Sequence, residues 1–287
     1  MFDRYVVVDW SANSTPKLGR DSIWIGVHDR TGRVSITNLA TRRSAEAFLV
    51  ELFEVDPTAT TLVGVDFSLG YPSGTAAALG LSGAPWSAMW TMLSEQITDD
   101  ERNANNRFAV AARINERVTG SAAPFWGCPP SAAGRYLTTT KPHSGEFLGE
   151  FRMVEAALRN QGRRPFSSWQ LLGAGAVGSQ SLVGIPMLAR MRIRFASRLD
   201  VWPYTTGFDP PSAAPGAIVV AEVWPSMLDV ADTGELVRDA AQVDTTAQWL
   251  AAADESGELQ AMFSPEVSAE VATAATAEEG WVLGVRC

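Results

Sequence analysis

Two stretches decide the fold: YVVVDWS (Tyr5–Ser11) and LVGVDFSLGYP (Leu62–Pro72). Each places an aspartate, Asp9 or Asp66, after four mostly apolar positions and follows it with an aromatic residue and a serine. Short apolar runs closed by turn-forming residues predict buried strands. A carboxylate at the end of such a strand is costly to bury unless it is paired or meets a cation. Two of them point to a shared cation, and the plainer alternative is that each caps its own following turn. Glu222, in VVAEVWP, is a third acid in a comparable place.

Working outward, Ser22–His28 and Arg33–Ala40 read as further strands, separated from Tyr5–Trp10 and from each other by Gly-containing turns, so the chain opens with two consecutive hairpins. Ser44 then opens a helix with Phe48, Leu49, Leu52 and Val55 at helical spacing, and Asp56-Pro57 stops it. The fourth strand is Thr61–Phe67, and a fifth appears only at Ala217–Val223. Between them helices are expected over Trp86–Ile97, Asn103–Val118, Glu146–Asn160 and Pro186–Ser197. Gly234–Ala253 and Pro265–Ala277, the latter with Ser264 as N-cap, read as two more. The expected organisation is a core of residues 1–72 plus 217–287, interrupted by a basic helical insert at 73–216.

The 287 residues are 46% hydrophobic and 19% charged, enough apolar material for a full core. No run approaches the roughly 18 apolar residues of a membrane span, and MFDRYVVVDW does not look like a signal peptide, so a cytoplasmic protein with no membrane partner is expected. With two cysteines and two histidines, a metal would have to be held by carboxylates. The net charge of −9 argues against binding long nucleic acid, but it is segregated. Residues 102–198 carry 14 basic and 4 acidic side chains, whereas residues 199–287 carry 2 and 15. Nearly all the central cations are arginine, which can fork onto carboxylate or phosphate.

The order meander, helix, strand parallel to the first, then a further strand and helix resembles the ribonuclease H-like fold. Together with VVVDWS, VGVDFSLGYP, the stretch FRMVEAALRNQGRRPFSSWQLLGAGAVGSQSLVGIPML and AEVWP followed by RDAAQVDTTAQWLAAAD, the chain resembles the DUF429 group of predicted nucleases. That resemblance implies an α/β fold with a mixed five-stranded sheet, helices on both faces and a large insert between strands 4 and 5. It also implies Mg²⁺ or Mn²⁺ held by Asp9, Asp66 and an acid of the Gly234–Ala253 helix. Asp239 and Asp244 compete for that last role. Asp244 shares a helix face with Ala240, Ala247 and Ala251, whose small side chains would let the helix approach the sheet closely, and is favoured as a catalytic and metal-binding residue, with Glu222 as a further ligand. Glu46, Glu51 and Glu54 are available as a fourth acid, none marked out.

Gly173–Gly178 matches the G-x-G-x-x-G dinucleotide pattern, but the short Ser167–Leu172 before it and Gly184-Ile-Pro186 after it make a poor strand–turn–helix context, and a loop beside a substrate fits better. Gln170 and Gln180 flank it as neutral hydrogen-bonding groups. Arg152 and Glu155 are a local pair at helical spacing or, facing inward, part of a phosphate site. Lys141 and His143 are loop residues that could approach the same place. The function expected is metal-assisted hydrolysis of a phosphodiester in a short or small phosphorylated substrate, or short nucleic acid. Two alternatives stand beside it. One is a non-catalytic binding protein for a phosphorylated ligand or nucleotide-type cofactor, a molybdopterin-related context included. The other is an actin-like ATP-dependent phosphotransferase, with Lys17 following Asp9.

Overall fold

The computed structural model describes all residues except 143–147, 174, 213 and 231–236. The described elements run β1 (Arg4–Asp9), β2 (Ile23–Asp29), β3 (Val34–Leu39), α1 (Arg42–Val55), β4 (Thr61–Val65), α2 (Thr75–Ala78), α3 (Pro85–Gln96), α4 (Arg107–Thr119), α5 (Met153–Asn160), α6 (Gly178–Arg194), β5 (Leu199–Val201), β6 (Ile218–Glu222), α7 (Arg238–Ser256), α8 (Glu258–Phe263) and α9 (Ala269–Ala274). The sheet is mixed, with order β3-β2-β1-β4-β6-β5. β1, β2 and β3 form an antiparallel meander, and β4, β6 and β5 run parallel to β1.

The expected five strands are therefore six among the described residues. The addition is β5, a three-residue strand at the sheet edge, paired only with β6. Three residues are too few to produce an alternating pattern, so the sequence carries no signal for it. Because β5 lies within 73–216, that segment completes the sheet as well as supplying helices.

Alternation along the strands sorts their side chains onto two faces. Val6 and Val8, Val63 and Val65, Ile218 and Val220 pack into one buried cluster with Leu49 and Phe53 of α1, Leu93 of α3, Val110 of α4 and Leu182 of α6. Tyr5 and Val7, Leu62, Val219 and Ala221 pack on the opposite face with Val154 of α5, Val243 and Leu250 of α7 and Phe263 of α8. Helices thus cover both faces, and α3, α4 and α6 share one core with the sheet.

Helix limits differ from expectation for local reasons. α1 starts earlier, with Thr41 as N-cap and Ser44 returning the hydrogen bond. α6 begins eight residues before Pro186 and carries it internally. The helix survives because proline forfeits one backbone hydrogen bond, while Gly184 lets the ring of Phe67 lie where a Cβ would be only 2.4 Å away. α5 begins at Met153; the expected start at Glu146 lies outside the described residues, as do His143 and the first residues of the expected Gly234–Ala253 helix. The last helix is capped by Ser268 in place of Ser264, its side chain accepting from the Val271 amide at 3.3 Å. Among the described residues no helix is long and apolar enough to cross a membrane.

Candidate functional site

β1 and β4 pair in register from Arg4↔Thr61 to Val8↔Val65, so the next residue of each chain, Asp9 and Asp66, falls side by side. The ladder continues to that point, since the Asp66 amide donates to the Val8 carbonyl at 3.2 Å. Alternation then explains the repeated Asp-aromatic-Ser pattern. Both acids belong to the face that α7 covers, while Trp10 and Phe67 turn to the other face and pack with ring centroids 6.1 Å apart. Ser11 and Ser68 return to line the same cleft as the acids.

That cleft has a volume of about 760 Å³. Asp9, Asp66, Asp21 and Asp239 line it together with Arg107 and Arg164, and Phe166, Leu172 and Trp224 supply apolar wall. The Asp9 and Asp66 carboxyls share a hydrogen bond. The Trp10 amide donates to Asp66 Oδ1 at 2.8 Å, and Gln180 Nε2 reaches the Trp10 carbonyl at 2.5 Å and Asp66 Oδ2 at 3.5 Å. Burial holds Asp9 well above the usual carboxylate range, with Asp66 and then Asp239 adding repulsion. Burial likewise pushes Asp66 up to about 7 against the opposing hydrogen bonds from the Trp10 amide and Asp9, and Asp239 adds to the rise. Two carboxylates this close cannot both ionise cheaply, so the pair retains a proton.

The third acid facing this pair is Asp239, in the first turn of α7. Its Oδ2 accepts the Asp21 amide at 2.7 Å, which ties α7 to the β1–β2 turn, where Asp21 takes a left-handed φ of 54°. Asp244, favoured from the sequence, is buried on the inner face of α7 as its alanine neighbours require, but accepts from Gln248 Nε2 at 2.8 Å and does not line the cleft. The small-residue face that made Asp244 attractive is the face that packs on the sheet; Asp239 sits at the helix end, where the strands' carboxyl ends open.

Glu222 sits at the end of β6 with the pleat of Ile218 and Val220, opposite to Asp9 and Asp66. It is held by Arg152, with Nη1 donating to Oε2 at 2.8 Å and Nη2 to Oε1 at 2.6 Å. Burial raises Glu222 above its ordinary range and Arg152 opposes that rise. Arg152 is fully buried, and its remaining donors go to both oxygens of Glu155 and to the Glu279 carbonyl. All five N–H groups are engaged, which leaves none for a phosphate. This is a buried ion-pair clamp joining α5 to β6.

The other expected ligand-binding residues divide. Gln180 reaches the acid pair and Glu155 lines the cleft, whereas Lys141 pairs with Glu150 at 2.6 Å, and Gln170 Nε2 folds onto the Leu172 carbonyl at 3.2 Å. Lys17 pairs with Asp21 at 3.3 Å. The glycine-rich stretch lines the cleft through Gly173, Gly175, Ala176 and Val177 and delivers the start of α6 to it. Among the described residues no strand leads directly into it, so it lacks the setting of a dinucleotide fold. Gly175, at φ 70°, packs beneath the Phe166 ring, where a Cβ would be 2.1 Å from a ring carbon. Sequence reasoning passed over Arg107, whose one signal was its place in the basic segment, and it weighed Asp239 but preferred Asp244; the structure puts Asp239 in the first turn of α7 and on the cleft.

Among the described residues no group of three or more His, Cys, Asp or Glu side chains is arranged to hold a metal ion. The donor chemistry does suit one at Asp9 and Asp66. A pair that must keep a proton to remain buried is a pair in which a cation can replace that proton, and Mg²⁺ is commonly held by one or two carboxylates, its other positions filled by water and phosphate oxygens. Compared with known proteins, the chain matches no family model, no curated protein and no solved structure.

Proposed function

We propose that the chain is a hydrolase of phosphodiester bonds in a short or small phosphorylated substrate, ribonuclease H-like in architecture, with Mg²⁺ or Mn²⁺ held by Asp9 and Asp66. The observation that carries this reading is the Asp9–Asp66 pair, brought side by side at the ends of two adjacent parallel strands and lining a cleft. The antiparallel meander followed by parallel crossovers, in the order β3-β2-β1-β4-β6, supports the architecture.

When bound, the ion supplies Lewis acidity toward a phosphoryl oxygen and lowers the pKa of a coordinated water. Asp9 and Asp66 would hold it, their carboxyl protons passing to solvent. Gln180 and the Trp10 amide fix the orientation of Asp66, so one lone pair of each oxygen is already committed and the carboxylate cannot rotate away. Asp239 adds negative charge from the α7 side without entering the hydrogen-bonded pair, the placement of an acid that orients a water.

Calorimetric titration of Mg²⁺ and Mn²⁺ into wild type and Asp9→Asn tests the reading. It expects binding by wild type with release of protons at about pH 6, and loss of both in the variant. Wild type that binds neither ion, or a variant that binds as well, removes the hydrolase. The absence of a three-carboxylate group among the described residues favours a second reading, a non-catalytic receptor for a phosphorylated ligand in the same cleft. It expects ligand binding that is indifferent to both ions.

A further inference from the structure

Arg107 opens α4 and is only 7% exposed, yet it ion-pairs with no carboxylate among the described residues. Its Nε donates to Ser179 Oγ at 3.0 Å, and its Nη1 to Ser14 Oγ at 2.9 Å and Asn105 Oδ1 at 2.8 Å, all neutral acceptors. Nη2 donates to nothing among the described residues, and the guanidinium carbon lies 4.2 Å from the centroid of the Phe108 ring. The neighbouring Asp99 acts on Arg107 only through space, because its two oxygens bond Arg42, at 2.6 and 2.5 Å. A cation taken from water without an anion is expensive to keep. Burial, and then repulsion from Arg42, lowers the Arg107 pKa to about 10.

Arg107 lines the cleft. Its partner Ser179 is the second residue of α6, a 17-residue helix with no side-chain cap. The Gly178 amide is taken by the Gln170 carbonyl, but those of Ser179 and Gln180 donate to nothing among the described residues. The positive end of a helix and the unused Nη2 donors of a buried guanidinium therefore converge, and Gln180, one residue on, touches Asp66.

We propose that Arg107 and the first turn of α6 form an oxyanion subsite that receives a phosphate oxygen of the substrate beside the Asp9–Asp66 pair. This rests on the cleft being a phosphoester site, and it names the group that grips the phosphate. The two Nη2 hydrogens of the guanidinium take one or two oxygens, and the Ser179 and Gln180 amides take another. Neither contact needs the metal.

Inorganic phosphate titrated into metal-free wild-type protein at about pH 6, where the acid pair holds its proton, isolates the subsite. The Arg107 Nε–H resonance should move with phosphate and the melting temperature should rise. Arg107→Gln should weaken phosphate binding roughly tenfold or more, and Arg107→Lys, which keeps the charge and loses the fork, by an intermediate factor. An Arg107 resonance that ignores phosphate overturns the subsite whether or not the variants fold, and so does Arg107→Gln binding phosphate like wild type. Mg²⁺ titration of the same proteins keeps the two ideas apart. Arg107-dependent phosphate binding without any Mg²⁺ binding upholds the subsite and removes the hydrolase; Asp9-dependent Mg²⁺ binding with phosphate indifferent to Arg107 does the reverse.

Discussion

Replacing Asp9 with asparagine should stabilise the metal-free protein, and by an amount that depends on pH. The Asp66 carboxyl stands near 7 in the folded state against 3.8 in the unfolded chain, and Asp9 is raised further. A shift of about 3 units is worth about 4 kcal/mol at 1.36 kcal/mol per unit. Both side chains still reach water at the cleft floor, so roughly half of that, about 2 kcal/mol, is the working figure. The folded state here binds the proton more tightly than the unfolded one. Stability from this pair is therefore fully present below about pH 4 and is lost as pH rises through about 7. Asp9→Asn replaces one buried carboxyl of the pair with a near-isosteric amide, so the loss that Asp9 itself contributes disappears, while that of Asp66, which burial causes, remains. Asp3 and Asp254, whose pKa values are lowered by hydrogen bonds to Thr60 in one case and by the chain's amino terminus and Tyr5 in the other, slope oppositely but cancel in the difference. Urea unfolding with a chelator from about pH 4.5 to 8.5 should show the variant matching wild type at the acid end and exceeding it by about 2 kcal/mol at the alkaline end. Mg²⁺ should restore wild type and leave Asp9→Asn unmoved. A difference that is flat with pH, or a variant less stable at pH 8, would refute the coupled pair.

Asp239→Asn should weaken Mg²⁺ binding several-fold by removing charge that faces the pair, whereas Asp244→Asn, bonded to Gln248 away from the cleft, should leave it unchanged; calorimetry on the two variants decides between them. Glu222→Gln should cost about 3 kcal/mol or more in denaturant unfolding, because Arg152 is left buried with half its counter-charge. Gly175→Ala should displace the Phe166 ring and strain a left-handed backbone, costing about 1 kcal/mol or more while changing Phe166 exposure to quenchers. Gly26→Ala, whose Cβ would stand 2.9 Å from the Val243 carbonyl oxygen, should push α7 off the sheet, lowering both stability and Mg²⁺ affinity because Asp239 travels with that helix.

The acid pair was legible because two short sequences repeat one pattern and a parallel register forces equivalent positions together. The meander and the crossover helix were legible from alternation and spacing. Edge strand β5 was not, being three residues long, and nor was α6 across Pro186, where Gly184 and Phe67 fit in a way no local signal announces. Choosing between Asp239 and Asp244 needed the direction of α7 across the sheet. The small-residue face identifies what touches the strands, and a metal-facing residue has to stand at the helix end that overhangs them. Arg152 and Glu155 show the same gap, since spacing alone gives a pair but not the distant Glu222 that completes it.

The segregation of charge along the chain has its own explanation in these contacts. Arg190 and Arg194 of α6 meet Glu46 and Glu54 of α1, Arg42 takes Asp99, and Arg152 takes Glu155 and Glu222. Arg159 and Arg192 stack on Phe151 and Trp86. Several of these contacts dock the middle of the chain onto its ends, while Arg102, Arg113, Arg117, Arg135, Arg163 and Arg164 stay exposed. With Glu155 and Glu222 matched by Arg152, and Asp21 by Lys17, the acids left unmatched in the cleft are Asp9, Asp66 and Asp239, and the cations are Arg107 and Arg164. Three negative groups against two positive ones repel an anion weakly, and a shared proton brings the site to neutrality. A divalent ion in place of that proton turns it positive, so phosphate should bind more tightly once the ion is held than to the protonated pair. On the proposed hydrolase reading, the Asp9–Asp66 proton would act as the placeholder that keeps a buried acid pair folded until a cation displaces it and the anionic substrate follows.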